Sequence, residues 1–284
     1  MDRQAETMRD SIARVTILGA RGSIPVSGPE VQIFGGGTSC VLVELGTAAD
    51  GYSQALIFDA GSGFLNLPDR VWEDYPCVHV FLSHFHLDHL MGIPMSRMLF
   101  DPRAKVCFYA QDGPRIPEVF AQLMAQPLWP VGPQAFQADI GYRSITQEQP
   151  VSLGETIRVS ALPMSHPGGV GVFRVDFGEK SIVYATDCEP DEAEAGRLTQ
   201  FARETELLII DAQYTSEEES RHRGFGHMGM HRACELVAAS GAKRGLLFHH
   251  APSRTDTQLE ELNRQVQKRF AQISFAREGG IITL

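Results

Sequence analysis

The chain has 284 residues, 43% of them hydrophobic and 21% charged, so it can bury a sizeable core and wholesale disorder is excluded. Its net charge of −10 argues against a general nucleic-acid binder, because phosphate contacts need Lys and Arg to displace counterions. Five scattered cysteines with no C-x-x-C pair fit reduced thiols in a cytoplasmic protein better than a disulfide framework.

The first dozen residues, MDRQAETMRDSI, are mixed in charge and hold no apolar run of the signal-peptide type. Nowhere do about 18 apolar residues follow one another, so no membrane span is expected. Short β-branched runs recur instead and predict strands at 15–20, 40–45, 55–61 and 77–83, then at 156–162, 170–177, 181–187, 207–212 and 245–250. Helices are predicted at 114–126, 191–203, 229–240 and 256–271. The Pro- and Gly-rich stretches at 127–133 and 167–171 read as loops. The stretch EEESRHR at 217–223 reads as a solvated loop, with contact of Arg221 and Arg223 to a substrate phosphate as the alternative. No repeat, low-complexity tract or linker divides the chain, so one domain over residues 1–284 is expected, with sheets packed together and helices outside.

The run Ser83-His84-Phe85-His86-Leu87-Asp88-His89 follows directly on the predicted strand 77–82. In extended chain His84 and His86 share one face while Phe85 and Leu87 point the other way, toward the core. A helical turn next would add Asp88 and His89, so that four groups able to bind a metal converge at one strand end. Imidazole and carboxylate suit zinc, manganese or iron, and no thiolate lies near to narrow the choice. His166, Asp187 and either His249 or His250 each end a strand-like run in the same way, where a sheet presents functional groups. Asp59 also ends one, either as a turn residue or as the acceptor that orients a histidine.

These stretches resemble the metallo-β-lactamase superfamily over nearly the whole chain. The resemblance is to its phosphodiesterase branch, which holds ribonuclease Z and cyclic-nucleotide phosphodiesterase-like proteins. It is carried by GARGSIP at 19–25, FGGGTSC at 34–40, FDAGSG at 58–63, SHFHLDH at 83–89, SHPGG at 165–169, YATD at 184–187, DAQYT at 211–215, GFGH at 224–227 and LLFHHAP at 246–252. It implies a four-layered αββα sandwich of the α/β (α+β) class. It further implies two divalent metal ions, zinc first: one on His84, His86 and His166, the other on Asp88, His89 and His249, with Asp187 and a hydroxide bridging them. His250 is the stand-in for His249. Homodimers are common in that family, and oligomeric state is left open.

In the ribonuclease Z branch a Glu of a His-Glu-Ala-Thr motif and a downstream Gly-His together protonate the leaving group. Asp211 and His227 stand at the matching places here, although the leading His is missing and Asp replaces Glu. With Asp88, they are the residues expected at the reacting centre. The implied activity is hydrolysis of a small phosphodiester, cyclic nucleotides included. The chain is acidic and has no long Gly/Lys-rich insertion between His89 and His166, which ranks tRNA 3′ processing and nucleic-acid partners lower. Thioester or β-lactam hydrolysis and a non-catalytic metal or oxygen sensor are the remaining alternatives.

Overall fold

A computed structural model describes residues 11–284; residues 1–10, most of the mixed-charge opening stretch, lie outside the described residues. Two seven-stranded sheets make up the centre of the molecule. In the first, β1 (Ser11–Gly19), β2 (Cys40–Thr47) and β3 (Gly51–Phe58) form an antiparallel meander. Then β4 (Val78–Phe81), β5 (Lys105–Ala110) and β6 (Asp139–Ser144) continue it in parallel. In the second, β7 (Val151–Leu153), β8 (Ile157–Met164), β9 (Val170–Phe177) and β10 (Lys180–Ala185) alternate in direction. Next to them β11 (Leu207–Asp211), β12 (Gly245–Phe248) and β13 (Ile273–Phe275) run parallel, and β14 (Ile281–Thr283) returns to the first sheet beside β1.

The alternation of side chains along each strand decides the layering. Val15, Val43, Phe58 and Phe81 face inward from the first sheet and meet Phe173, Tyr184, Ile209 and Phe248 of the second. Phe58 stacks on Tyr184 at 5.3 Å across this interface. The opposite face of the first sheet is covered by α1 (Arg70–Asp74), α2 (Ile116–Leu123) and short 3-10 turns, through Val71, Trp72, Ile116 and Phe120. The second sheet is covered by α3 (Glu192–Phe201), α5 (Met230–Ser240) and α6 (Asp256–Arg269), with α4 (Ser216–Arg221) before α5. Covered on both faces, β2 and β11 are buried almost throughout, which is why they read as continuous apolar runs and not as alternation. This is the expected αββα sandwich. No helix of the described residues is long and apolar enough to cross a membrane.

Three sequence expectations differ from the structure. Most of the supposed loop 217–223 lies in α4, because Thr215 accepts from the Glu218 amide while the Glu218 carboxylate accepts from the Thr215 amide, a capping box that closes the first turn. Arg221 is tied to Glu217 on that helix. Leu87 does not reach the core: β4 ends at Phe81, the strand alternation stops there, and Leu87 is 59% exposed. Strands β6, β7, β13 and β14 escape the sequence pattern because they are three residues long or, like β6, polar and at a sheet edge. β5, KVCFYA, is as apolar as the predicted strands and belongs with them.

One polar residue is buried in the middle of β2. The Glu44 carboxylate accepts from Arg14 at 2.7 Å, from Arg70 at 2.6 and 3.1 Å and from Tyr75 at 2.6 Å, which fastens α1 to the sheet. Burial opposes the charge, but these hydrogen bonds prevail and hold the carboxyl down at about 2, against an ordinary value of 4.5. A carboxyl lowered on folding stabilises the protein above its unfolded value, and the gain is lost as pH falls from 4.5 toward about 2. Glu44→Gln is therefore expected to cost about 1.5–3 kcal/mol in urea denaturation at neutral pH. The gap to the native protein should close in acid; a gap independent of pH would contradict the assignment.

Candidate metal centre

Four of the five cluster histidines, His84, His89, His166 and His249, are aimed by what their Nδ1 touches; among the described residues His86 Nδ1 meets only His166 Nε2. β3 ends at Phe58, and Asp59 follows it, fully buried, with a left-handed φ of 59°. Its carboxylate accepts from the Ser83 amide at 2.7 Å, the Ser83 hydroxyl at 2.8 Å, the Tyr184 hydroxyl at 2.8 Å and His89 Nδ1 at 2.8 Å. Because the Ser83 hydroxyl donates to Asp59, its oxygen is left to accept from His84 Nδ1, 3.0 Å away. His166 Nδ1 donates to the Gly226 carbonyl at 2.9 Å, and His249 Nδ1 to Gln213 Oε1 at 2.8 Å. With Nδ1 occupied in this way, all four rings turn Nε2 into the cluster, where it can bind a cation in place of a proton.

These acceptors converge. His166 Nε2 lies 3.0 Å from His86 Nδ1, and the His84, His86 and His166 rings are 4.4–4.7 Å apart. Asp88 Oδ2 lies 3.4 Å from His89 Nε2 and 3.1 Å from His249 Nε2. Between the two sets, Asp187 places Oδ2 at 3.2 Å from His89 and 3.7 Å from His84, and Oδ1 at 3.3 Å from His249. Ligand-type atoms of His84, His86 and His166, and of Asp88, His89, Asp187 and His249, fall within 4.8 Å of one another in each set. All seven expected residues are thus brought together.

The donor set fits a metal ion. His84 Nε2 and His89 Nε2 are buried and have no hydrogen-bond partner among the described residues, an arrangement that is costly unless something electron-poor binds them. Nitrogen and oxygen without a thiol suit zinc, manganese or iron. Cys188, next in sequence to Asp187, is buried and turned toward the Ala185 carbonyl. The field is that of a cation site. Burial works against charge on His89, yet Asp187, Asp59 and Asp88 around it raise its pKa well above the ordinary value.

The choice between the two final histidines follows from direction. His249 takes a left-handed φ of 61° and turns into the cluster. His250 points away, bonded to the Ala276 carbonyl at 2.8 Å and stacked on Phe275, and its burial lowers it to about 3. Beside the cluster, His227 Nδ1 is 2.8 Å from Asp211 Oδ2, and the His227 ring stacks on His249 at 4.8 Å. Burial would lower His227, but the Asp211 charge and hydrogen bond outweigh it and lift the imidazole to about 9.

A beta-lactamase superfamily domain model matches residues 55–250, the span that contains all of these groups. The chain belongs to this superfamily. Ribonuclease Z of Haloferax volcanii is 23% identical over 285 aligned positions, covering 83% of this chain and 84% of its own. The metallo-beta-lactamase fold protein YhfI of Bacillus subtilis superposes with a TM-score of 0.70 at 20% identity, over 96% of this chain and 100% of its own. A diphosphatase of the PhnP family gives a TM-score of 0.67 at 19% identity, over 96% of this chain and 97% of its own. Hydrolases, by name, therefore stand on both sides of the comparison.

Several residues that support this superfamily site are not evident from sequence pattern. The Ser23 amide donates to Asp88 at 2.7 Å, from a residue with φ 63° inside GARGSIP. Thr186 donates to Asp187. Glu189 accepts from the Gly224 and Gly226 amides at 2.8–2.9 Å and so braces the GFGH loop. Gly226 needs to be glycine: its φ is +89°, and a Cβ would lie 2.1 Å from His166 Nδ1. Gln213, two residues past Asp211, is the one with a sequence signal, a polar residue directly after the apolar run 207–212, and the structure buries it. Gln213→Ala would leave His249 without its acceptor, and such losses typically weaken metal binding about 10–100-fold. Chelator competition on the folded variant would measure this, and unchanged affinity would show that Gln213 does not orient His249.

Proposed function

We propose that the chain is a metal-dependent phosphodiesterase acting on a small phosphodiester, cyclic nucleotides included. The observation that carries this reading is the Asp211–His227 pair beside the cluster, 2.8 Å apart, with His227 Nδ1 4.0 Å from Asp187. Hydrolysis of an alkyl diester needs a proton for a poor leaving group, and this pair is built to hold one.

In this reading His84, His86 and His166 hold one divalent ion, Asp88, His89 and His249 hold a second, and Asp187 stands between them. Such ions, zinc first with manganese or iron as alternatives, supply charge neutralisation at phosphoryl oxygens and an activated water at neutral pH. Asp59 and Gln213 fix the rings that face the reacting centre. Asp211 accepts from His227 Nδ1 and also from the Gln213 amide at 3.0 Å, so its carboxylate cannot swing away. His227 Nε2 makes no hydrogen bond among the described residues and is the atom from which a proton would pass to the departing oxygen. His227→Ala should cut kcat about 10²–10⁴-fold on diesters with an alkoxide leaving group. The loss should be far smaller on p-nitrophenyl esters, whose leaving group needs no proton. Equal losses on both would remove the acid role.

The second reading, tRNA 3′ processing, is favoured by the ribonuclease Z relatives. Set beside them, the net charge of −10 is no ground for setting nucleic acid aside, which corrects the expectation drawn from charge. The deciding experiment quantifies bound metal in the purified protein and assays bis(p-nitrophenyl) phosphate, cyclic nucleotides and a tRNA precursor, with His86→Ala as control. Metal with control-sensitive diester cleavage supports the proposal, and the substrate ranking separates the two readings. Metal with no diester cleavage would move thioester hydrolysis or a sensor role ahead.

A further inference from the structure

One cavity shares a wall with the histidine cluster. It has a volume of about 260 Å³ and lies between His84 and His86, the turn after His166, and Gln111, Asp112 and Arg115 from the segment joining β5 to α2. The walls are tied together: Gln111 Nε2 donates to the Val170 carbonyl at 3.0 Å, and the Gly171 amide donates to the Ser83 carbonyl at 2.8 Å. The ends of the two sheets thus meet here at fixed distance. On the side of the turn, Gly168 and Gly169 have φ of +90° and +81°, and the places where their Cβ atoms would lie are open space.

Two charges line this cleft without partners. Arg115 and Asp112 are exposed, and among the described residues neither side chain forms a salt bridge or hydrogen bond. A guanidinium left free in a cleft offers a planar fork of donors that matches the oxygens of a phosphate. On this side the cluster presents the His84 and His86 rings, while Asp88 lies with His89 and His249 in the other set.

We infer that this cleft is a subsite for a second phosphate of the substrate, bound by Arg115, next to the diester that is cut. The inference rests on the phosphodiesterase reading and narrows its substrate class to diesters whose neighbouring unit carries a further phosphate. That phosphate can be a terminal monoester on a dinucleotide or the next linkage of an RNA strand. Asp112 opposes it and limits affinity for still more highly charged groups.

The test compares UpU with pUpU, UpUp and a short oligouridylate lacking terminal phosphates, using the metal-loaded full-length protein. In parallel, equilibrium binding of adenosine 3′,5′-bisphosphate is compared with that of adenosine 5′-monophosphate. The native protein should favour one phosphorylated dinucleotide, or the oligomer, over UpU by roughly tenfold or more, expressed in KM, a difference of the size one good ionic contact provides. A preference for the dinucleotide places the second phosphate at a terminus; a preference for the oligomer places it in a strand. Arg115→Ala should abolish the preference and the advantage of the bisphosphate, and Asp112→Asn should enlarge both. Where the dinucleotides are cleaved, no preference in the native protein, or one that survives Arg115→Ala, overturns the subsite. If nothing is cleaved but bisphosphate binding still depends on Arg115, the subsite stands and the diesterase reading falls. If the bisphosphate and monophosphate bind alike, the subsite falls whatever the turnover.

Discussion

The structure turns on the Asp59 carboxylate. A fully buried carboxylate is tolerated only when its oxygens are satisfied, and Asp59 achieves this with donors from three parts of the chain: Ser83 past β4, His89 in the turn beyond, and Tyr184 of the second sheet. These bonds do two jobs at once. Tyr184 ties one sheet to the other, and the bonds from Ser83 and His89 decide which nitrogen carries the proton, directly on His89 and through the Ser83 hydroxyl on His84. Sheet docking and ring orientation are therefore one event. Without Tyr184 in place the carboxylate would lack a donor, and without the carboxylate two imidazoles would lose their tautomer.

What could be read in the sequence was local. The nine apolar runs are all strands, since a β-branched run bounded by turn residues needs no distant partner to be recognised. The same holds for H-x-H-x-D-H, where seven consecutive residues, Ser83 to His89, carry four cluster members. The expectation for Leu87 went wrong because it extended strand alternation past the residue where the strand ends. Residues 217–223 read as solvated from their charge, and none of them is buried, but Thr215 and Glu218 carried a helix-start signal that the charge run concealed. The contribution of Ser23 to Asp88 spans 65 residues, and that of Gln213 to His249 spans 36. Contacts at such separation are properties of the folded topology, and no window of sequence contains them.

The distinction between the two final histidines shows the same limit from another side. His249 and His250 are adjacent, equally buried and chemically identical, so sequence alone left them open. The backbone separates them: one turns toward the cluster, and the other turns under Phe34 and Phe275 to serve packing. Asp211 and His227 carry the reading beyond the fold. Many chemistries can share a sandwich of this kind, and it is the group placed beside the cluster that distinguishes one from another.

Four residues of this site, Ser23, Asp59, Asp187 and His249, hold left-handed backbone, out of five non-glycine residues that do so among those described. Aspartate, asparagine and histidine accept that conformation far more readily than branched or bulky side chains. Three of the four positions are therefore filled by residue types that backbone sterics and cation binding both select. At Asp59, Asp187 and His249 the replacements that keep the chain path with least strain are asparagine and glycine, and a β-branched replacement would strain the turn and remove the site's chemistry together. A descendant of this protein that abandoned its activity would be expected to record the fact in those two letters, with the strands before them little changed.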